Sequence, residues 1–362
     1  MARVASARQH AVTARSAGWA WRRPRGVLLG SLVLLVVALV LNLGYGAVTI
    51  SPIQVVAILA ERSGWDLGVA YTEQQSTVIW AIRLPRVLLA VLVGAALAVA
   101  GAVLQGIFRN PLAEPGLIGV SSGATLSAVA TIVLDLAVIG PATLPLAAFL
   151  GGLLTAFVVY SLARHHGRTE VVTLVLTGIA VNALAGALTG FLVFFASDQQ
   201  LRAIVFWSLG SLGGATWPSV WTGAPFVVVS VLLALRFGQA LNLLALGERE
   251  AFHLGLDTER LRLMLIPLAA LMTGAAVAVA GTVGFVGLVA PHVLRLIGGP
   301  DHRYVLPASA LGGASLVLLA DLTARTVVAP AELPLGVVMA MLGGPFFLWL
   351  IQRTRREHGG WG

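Results

Sequence analysis

The chain has 362 residues, a formal net charge of +8, 58% hydrophobic residues and only 10% charged residues. Soluble domains carry about 25% charged residues, so this composition argues against an ordinary soluble domain. There is no cysteine, which excludes disulfides and thiolate chemistry, and no lysine, so all 23 basic residues are arginines. The 41 glycines suit packed membrane helices, because small residues let helix backbones approach closely.

Ten apolar segments are predicted to form membrane spans, because a bilayer core of about 30 Å needs about 20 apolar residues per helix. In chain order they are 27–47, 76–107, 115–134, 142–163, 171–196, 217–235, 260–281, 284–297, 303–324 and 334–352. The second is long enough to protrude, and the short, glycine-rich eighth is expected to be broken or to cross only part of the membrane. The pattern predicts an all-α polytopic membrane protein: a cytosolic tail at 1–26, a ten-helix domain at 27–352 and a second cytosolic tail at 353–362.

The arginines predict the orientation. The tail at 1–26 has six arginines and no acidic residue, which also suits a transit peptide, but the apolar run after it is too long for a signal-peptide core. With the N-terminus in the cytosol, eighteen arginines fall inside and five outside, a strong positive-inside bias. The five outside are Arg62, Arg83, Arg86, Arg202 and Arg325. The net positive charge therefore reports on topology rather than on nucleic acid, and both termini are predicted to be cytosolic.

Two segments of the chain resemble each other. GAALAVAGAV at 94–103 and GAAVAVAGTV at 274–283 agree at eight of ten positions with an offset of 180, and Pro111 and Gly119 fall on Pro291 and Gly299 at the same offset. Shared composition of two Ala/Gly/Val-rich helices is the alternative. We favour an inverted internal repeat, the second to fifth spans against the seventh to tenth, which many transporters use around a central pathway.

The polar stretch RNPLAEPG at 109–116 is predicted to be the cytosolic turn between the second and third spans, because neither Pro111 nor Pro115 can continue a helix. Ser121, Ser122 and Gly123 then lie early in the third helix. Tight packing of these small residues is favoured over a direct ligand role.

Several long motifs, in this order and with ten spans between them, resemble the FecCD-type permease subunits of iron-siderophore, heme and cobalamin importers of the ATP-binding cassette class (type II importers). They are IRLPR at 82–86, GAVLQGIFRNPLAEPGLIGVSSGA at 101–124, GEREAFHLGL at 247–256, GFVGLVAPHVLR at 284–295 and APAELPLG at 329–336. The resemblance covers about 27–352. It implies a homodimer with one pathway at its axis, two cytosolic ATPase subunits and a soluble binding protein that delivers substrate from outside.

The chain has no G-x-x-x-x-G-K-[ST] phosphate loop, so it is expected not to be an enzyme, and ATP is used by a partner subunit. The alternative class is an ion-gradient-coupled carrier, which usually has intramembrane charges. Here Asp135, Asp198 and Asp321 lie near span ends, and His292 and Arg295 in the eighth span are the exceptions. No bound cofactor and no metal site are expected.

The cytosolic connection at 236–260 contains a predicted short amphipathic helix bounded by glycines. The resemblance implies that it is the coupling helix that fits a groove on the ATPase, whereas an interfacial helix on lipid is the alternative. The residues concerned are Gly247, Glu248, Ala251, Leu254 and Gly255. The acidic Glu248 and Glu250 favour a protein groove, because a helix that lies on an anionic membrane surface is expected to carry arginines and no acidic residues.

Further site residues come from the resemblance. It implies that Arg83, Arg86 and Arg325 receive carboxylates of the binding protein, whereas ordinary snorkelling is the alternative, and an internal pair of Arg325 with Asp321 four residues earlier is possible. It also implies an outer re-entrant helix at 207–212. The cytosolic gate loop is expected to comprise Gly167, Arg168, Thr169, Glu170 and Val171.

The amino-acid sequences of the RNPLAEPG and APAELP segments are most similar to those of heme-uptake members of the family. Ferric-siderophore members share most of the same residues in these motifs, and Ile107 stands where leucine is expected. Heme is therefore the first expectation for the substrate, ferric siderophore is its close alternative, and cobalamin follows.

Overall fold

The computed structural model describes residues 23–165 and 168–357, which form a bundle of helices. The helices are α1 Arg23–Gly44, α2 Pro52–Glu61, α3 Glu73–Phe108, α4 Val120–Val133, α5 Thr143–Ala163, α6 Val171–Phe194, α7 Asp198–Ser208, α8 Trp217–Leu235, α9 Gly238–Ala245, α10 Glu248–His253, α11 Thr258–Ala280, α12 Val286–Gly298, α13 His302–Thr326 and α14 Leu335–Glu357. Between α5 and α6 the two-residue strands β1 Arg164–His165 and β2 Arg168–Thr169 pair antiparallel. Of the predicted tails, residues 23–26 begin α1 and residues 353–357 end α14, whereas residues 1–22 and 358–362 lie outside the described residues.

Seven of the described helices are long and apolar enough to cross a membrane: α1, α3, α5, α6, α8, α11 and α13. The other three predicted spans correspond to shorter apolar helices, α4, α12 and the first part of α14. At 1.5 Å per residue the 13 residues of α12 reach only about 20 Å, against a bilayer core of about 30 Å. The helical multi-pass architecture is thus confirmed, and the number of full spans stays a prediction.

The third span is shorter than its predicted range of 115–134. Pro115–Ile118 forms a 3₁₀ turn, and Gly119 has a left-handed backbone with a φ of 81° that stops this turn from continuing into α4. Gly123 then lies against Thr155 and Gly151 of α5, where an added methyl group would lie 2.0 Å from the Thr155 hydroxyl oxygen. The predicted tight packing of this segment is therefore present, and residues 115–118 belong to the turn rather than to the helix.

The central helix of the bundle is α3, which packs against α8, α11, α12 and α13. Its first part includes a π-helical segment, Val78–Arg83, and its second half is almost wholly buried. Two glycine contacts let it approach its neighbours: Gly94 lies against Gly313 of α13, and Gly101 lies against Gly287 of α12. Glycine is required at these crossings because any side chain would collide with backbone rather than with movable side chains.

Gly101→Val should lower the free energy of unfolding by about 3 kcal/mol, the upper end for overpacking, because even a methyl group would lie 1.9 Å from the carbonyl oxygen of Gly287. Gly30→Val is the matched control, since the glycine at 30 in α1 has nothing within 4 Å of the added carbon. Thermal unfolding of the detergent-solubilised protein measures both variants. Equal melting temperatures for the two would contradict the crossing.

The second segment of the suggested repeat leaves its helix early. Residues 94–103 lie inside α3, whereas α11 ends at Ala280 and the rest of 274–283 forms a loop. Pro111 lies in the turn that follows α3, whereas its counterpart Pro291 lies inside α12. The helix α12 therefore corresponds to a turn in the first segment. These positions therefore do not mark equivalent local structures, and the inverted repeat stays a prediction that rests on the ten-residue match.

The helix after α6 begins earlier than expected. The resemblance placed a re-entrant helix at 207–212, but α7 spans Asp198–Ser208 and the chain leaves the helix at Leu209. Ser197 begins α7 with a capping box, in which its side chain accepts from the backbone of Gln200 and the Gln200 side chain accepts from the Ser197 backbone. This start signal lies ten residues before the tryptophan at 207 and was missed.

Candidate functional site

Arg86 is the centre of a polar group that we call the arginine cluster, formed by Arg83, Arg86, Asp321, Arg325 and Glu332. The Nε atom of Arg86 donates to both carboxylate oxygens of Asp321 at 3.1 Å, and its two Nη atoms donate to Glu332 at 3.0 and 2.9 Å. Asp321 is 2% exposed. A single guanidinium therefore ties α3 to α13 and to the loop before α14 through charge-assisted hydrogen bonds.

The other two arginines of the cluster hold the end of α1. Arg83 donates to the backbone carbonyls of Leu43, Gly44 and Val48, and Arg325 donates to the backbone carbonyl of Asn42 at 2.7 Å. The last carbonyls of a helix have no partner within the helix and carry partial negative charge. Arg83, which is buried, and Arg325, whose side chain is 10% exposed, supply both the hydrogen bonds and the compensating charge.

The arginine cluster brings together the three residues that the resemblance proposed for docking. Arg83 and Arg86 are buried and held by internal partners, so the docking role stays a prediction. The possible pair of Arg325 with Asp321 is present at 3.8 Å, but Arg86 is much the closer partner of that carboxylate. The sequence reading missed Glu332, although the APAELPLG motif contains it.

Glu332 is the exposed member of the arginine cluster, with 44% of its side chain accessible. The hydrogen bonds from Arg86 hold the pKa of its carboxyl below the usual range. Its ion pair with Arg86 is therefore complete above the ordinary glutamate pKa and is lost only as the pH falls through the lowered value.

At the other end of the bundle, the predicted coupling helix is present as α10. Gly247 precedes it with a φ of 129°, and Gly255 follows it with a φ of 84°, so glycines bound it as the sequence predicted. Ala251 is fully buried, whereas Phe252 and Leu254 are 71% and 59% exposed. The apolar surface that α10 offers to a partner is thus made by Phe252 and Leu254, and Ala251 packs inward.

A second polar group lies beside α10, and we call it the Arg262 network: Thr169, Glu248, Glu259 and Arg262. Arg262 is 4% exposed, donates to the carboxylate of Glu248, and donates to the backbone carbonyl of Thr169 at 3.2 Å. Glu259 accepts from the backbone N–H of Thr169 at 2.8 and 3.1 Å. The sequence reading gave Arg262 and Glu259 no role, because nothing in the local pattern shows which of several charges turns inward.

The expected gate loop lies next to this network. Gly167 falls outside the described residues, Arg168 and Thr169 form β2, Glu170 immediately precedes α6, and Val171 is its first residue. Thr169 is 3% exposed. A cleft of about 920 Å³ is lined by residues 169–172, by α10 and by the start of α11. The structure therefore places the predicted coupling helix and the predicted gate loop on the same cleft.

A model of the FecCD transport family matches residues 34–353. The chain belongs to the FecCD transport family. It is 45% identical over 349 residues to the hemin transport system permease protein HmuU of Yersinia pestis, covering 93% of this chain and 98% of that protein. It is 44% identical over 295 residues to the cobalamin import system permease protein BtuC of Halobacterium salinarum, covering 81% and 78%.

The vitamin B12 import system permease protein BtuC of Klebsiella pneumoniae is 42% identical, covering 92% of this chain and 96% of that protein. Among solved structures, a metal-chelate type ABC transporter in an inward-facing conformation is similar with a TM-score of 0.78 and 32% identity, covering 91% and 99%. The chain is accordingly a multi-pass permease subunit of an ABC importer family, which works with ATPase and binding-protein partners, and it is not an enzyme.

Proposed function

We propose that the chain is the permease subunit of an ATP-driven importer that takes up heme delivered by a periplasmic binding protein. The observation that carries this choice is the 45% identity to a hemin permease over 93% of the chain. Cobalamin is the second candidate, because two cobalamin or vitamin B12 permeases are 44% and 42% identical. A ferric siderophore is the third, supported by the similarity to a metal-chelate transporter.

The importer is proposed to contain two copies of this chain, with the pathway between them. The support comes from α6, an apolar helix with few buried residues that carries exposed Leu176, Leu184 and Leu188. Gly186 and Gly190 of α6 also have nothing within 4 Å of an added carbon. A helix with so much unpacked apolar surface needs another helix or lipid to cover it, and a second copy covers it in this proposal.

Both termini are proposed to be cytosolic in a bacterial inner membrane, which places α10 and the cleft beside it in the cytosol and the arginine cluster outside. Two ATPase subunits then meet Phe252 and Leu254, the binding protein docks at the arginine cluster, and residues 167–171 close the pathway. The positive-inside bias of the arginines supports this orientation.

The contacts of Arg295 favour this proposal over a gradient-coupled carrier. Its guanidinium donates to the Gln105 side chain at 2.7 Å, and Gln105 in turn donates to the backbone carbonyl of Gly287 at 3.1 Å. These hydrogen bonds tie α12 to α3 at a helix crossing. A structural contact of this kind accounts for an intramembrane charge without an ion relay.

Uptake by proteoliposomes that hold this subunit, its ATPase and its binding protein tests the substrate. Hemin, cobalamin and a ferric siderophore are supplied in turn, with ATP inside the vesicles and vesicles lacking the binding protein as the control. We expect accumulation of hemin well above the control. Accumulation of cobalamin or ferric siderophore, with hemin at the control level, would identify that compound rather than heme as the substrate.

A further inference from the structure

We propose that Arg262 is a positioning residue that makes α10 and the loop before α6 move together. This inference rests on the proposed function, in which α10 meets the ATPase and the loop before α6, of which the structure describes residues 168–170, closes the pathway. It adds the physical connection between those two parts, which lie about 80 residues apart in the sequence.

The connection runs through one guanidinium. Its Nη2 atom donates to the Glu248 carboxylate on α10, and its Nη1 atom donates to the backbone carbonyl of Thr169 in β2. The planar fork of donors in arginine holds two acceptors in fixed directions at once, whereas the ammonium of lysine acts as a single point charge. The geometry therefore needs arginine rather than any cation.

Glu259 closes the network into a ring. It accepts two hydrogen bonds from the backbone N–H of Thr169 and lies 3.6 Å from Nη1 of Arg262. The N–H and the carbonyl of one buried residue, Thr169, are thus both held by side chains from the first turns of α11. Hydrogen bonds weaken steeply when they lengthen or bend, so β2 follows the start of α11 rather than sliding past it.

Burial makes these contacts hard to give up. Arg262 is 4% exposed and Thr169 is 3% exposed. A buried charge that loses its partners is strongly disfavoured. A displacement of α10 therefore carries Arg262 and Thr169 with it, because leaving Arg262 behind separates it from the Glu248 carboxylate. The result is one rigid unit that joins the ATPase-facing helix to the loop before α6.

Distance measurements between two spin labels test whether the unit is rigid. The chain has no native cysteine, so cysteines introduced at Val172 and His253, both exposed, carry the labels alone. In the purified permease we expect a narrow distance distribution, which Arg262→Gln broadens. Arg260→Gln is the matched control, because Arg260 is exposed and lies two residues away on the same helix turn. A distribution that stays as narrow in Arg262→Gln as in the control would overturn the proposal.

The assembled importer supplies the second measurement, the amount of substrate taken up per ATP hydrolysed. Arg262→Lys keeps the positive charge and loses the two-armed contact, so it guards against simple failure to fold. We expect both Arg262 variants to keep the ATPase bound and to lower uptake per ATP about tenfold, within the usual range of coupling between sites. An unchanged ratio, or loss of the ATPase from the complex, would overturn the positioning role. If the unmodified complex shows no ATP-dependent uptake, the proposed function is wrong. The spin-label distances in the purified permease still show whether α10 and the loop before α6 form a rigid unit.

Discussion

Replacing Arg86 with methionine should lower the free energy of unfolding by about 3–5 kcal/mol, because it leaves a buried carboxylate without its closer cation and with only Arg325 at 3.8 Å. The carboxylate is that of Asp321, which is 2% exposed and receives two hydrogen bonds from Arg86. Thermal unfolding in detergent gives the measurement. Arg202→Met is the matched control, since the arginine at 202 is exposed on α7.

The double variant Arg86→Met with Asp321→Leu shows whether the destabilisation comes from loss of the ion pair itself or from the carboxylate that is left buried without Arg86. Apolar residues of similar volume often replace a buried ion pair at no cost, so this variant should recover most of the stability. Equal melting temperatures for Arg86→Met and Arg202→Met would contradict the structural role of Arg86. A loss of binding-protein docking in an Arg86 variant has to be corrected for the fraction of folded protein before it supports the docking prediction.

Replacing Phe252 with aspartate should weaken binding of the ATPase subunits by about 2–4 kcal/mol, the size of an interface hot spot. Phe252 is 71% exposed on α10 and provides, with Leu254, the apolar surface that a groove on a partner would cover. Phe252→Tyr is the matched control, because it keeps the ring and its contact area. Co-purification of the ATPase with each variant gives the measurement.

Normal assembly of Phe252→Asp would show that α10 rests on lipid or solvent instead. Ala251→Trp does not test the same contact, because Ala251 is fully buried and a larger side chain there would displace α10 from the bundle. The docking contact is therefore tested at the exposed position 252 and not at the buried position 251.

The sequence predicted the positions of the long helices well, because the length of an apolar run is a local property. The turn at 109–116 was predicted from its prolines, and the glycines that bound α10 were predicted as helix ends. The first residues of α4 and α7 were not predicted, since each is set by the conformation or the side chain of a single residue. Gly119 breaks the first with a left-handed backbone, and Ser197 caps the second.

The polar networks were beyond sequence reasoning for a different reason. Arg325 and Asp321 are four residues apart, so helical spacing suggested their pair. Arg86 lies 235 residues from Asp321 and Arg262 lies 93 residues from Thr169, and no periodicity reports on such contacts. The direction of Ala251 was also open, because a six-residue helix offers too few positions to define a buried face.

Hemin uptake under conditions that separate ATP from ion gradients tests the central claim most directly. Proteoliposomes holding this subunit, its ATPase and its binding protein receive hemin outside and ATP inside, with ionophores that collapse proton and sodium gradients. The account predicts uptake that requires ATP and both partners and that persists with the ionophores. Uptake that continues without ATP or the ATPase and stops with the ionophores would contradict it and show a gradient-coupled carrier.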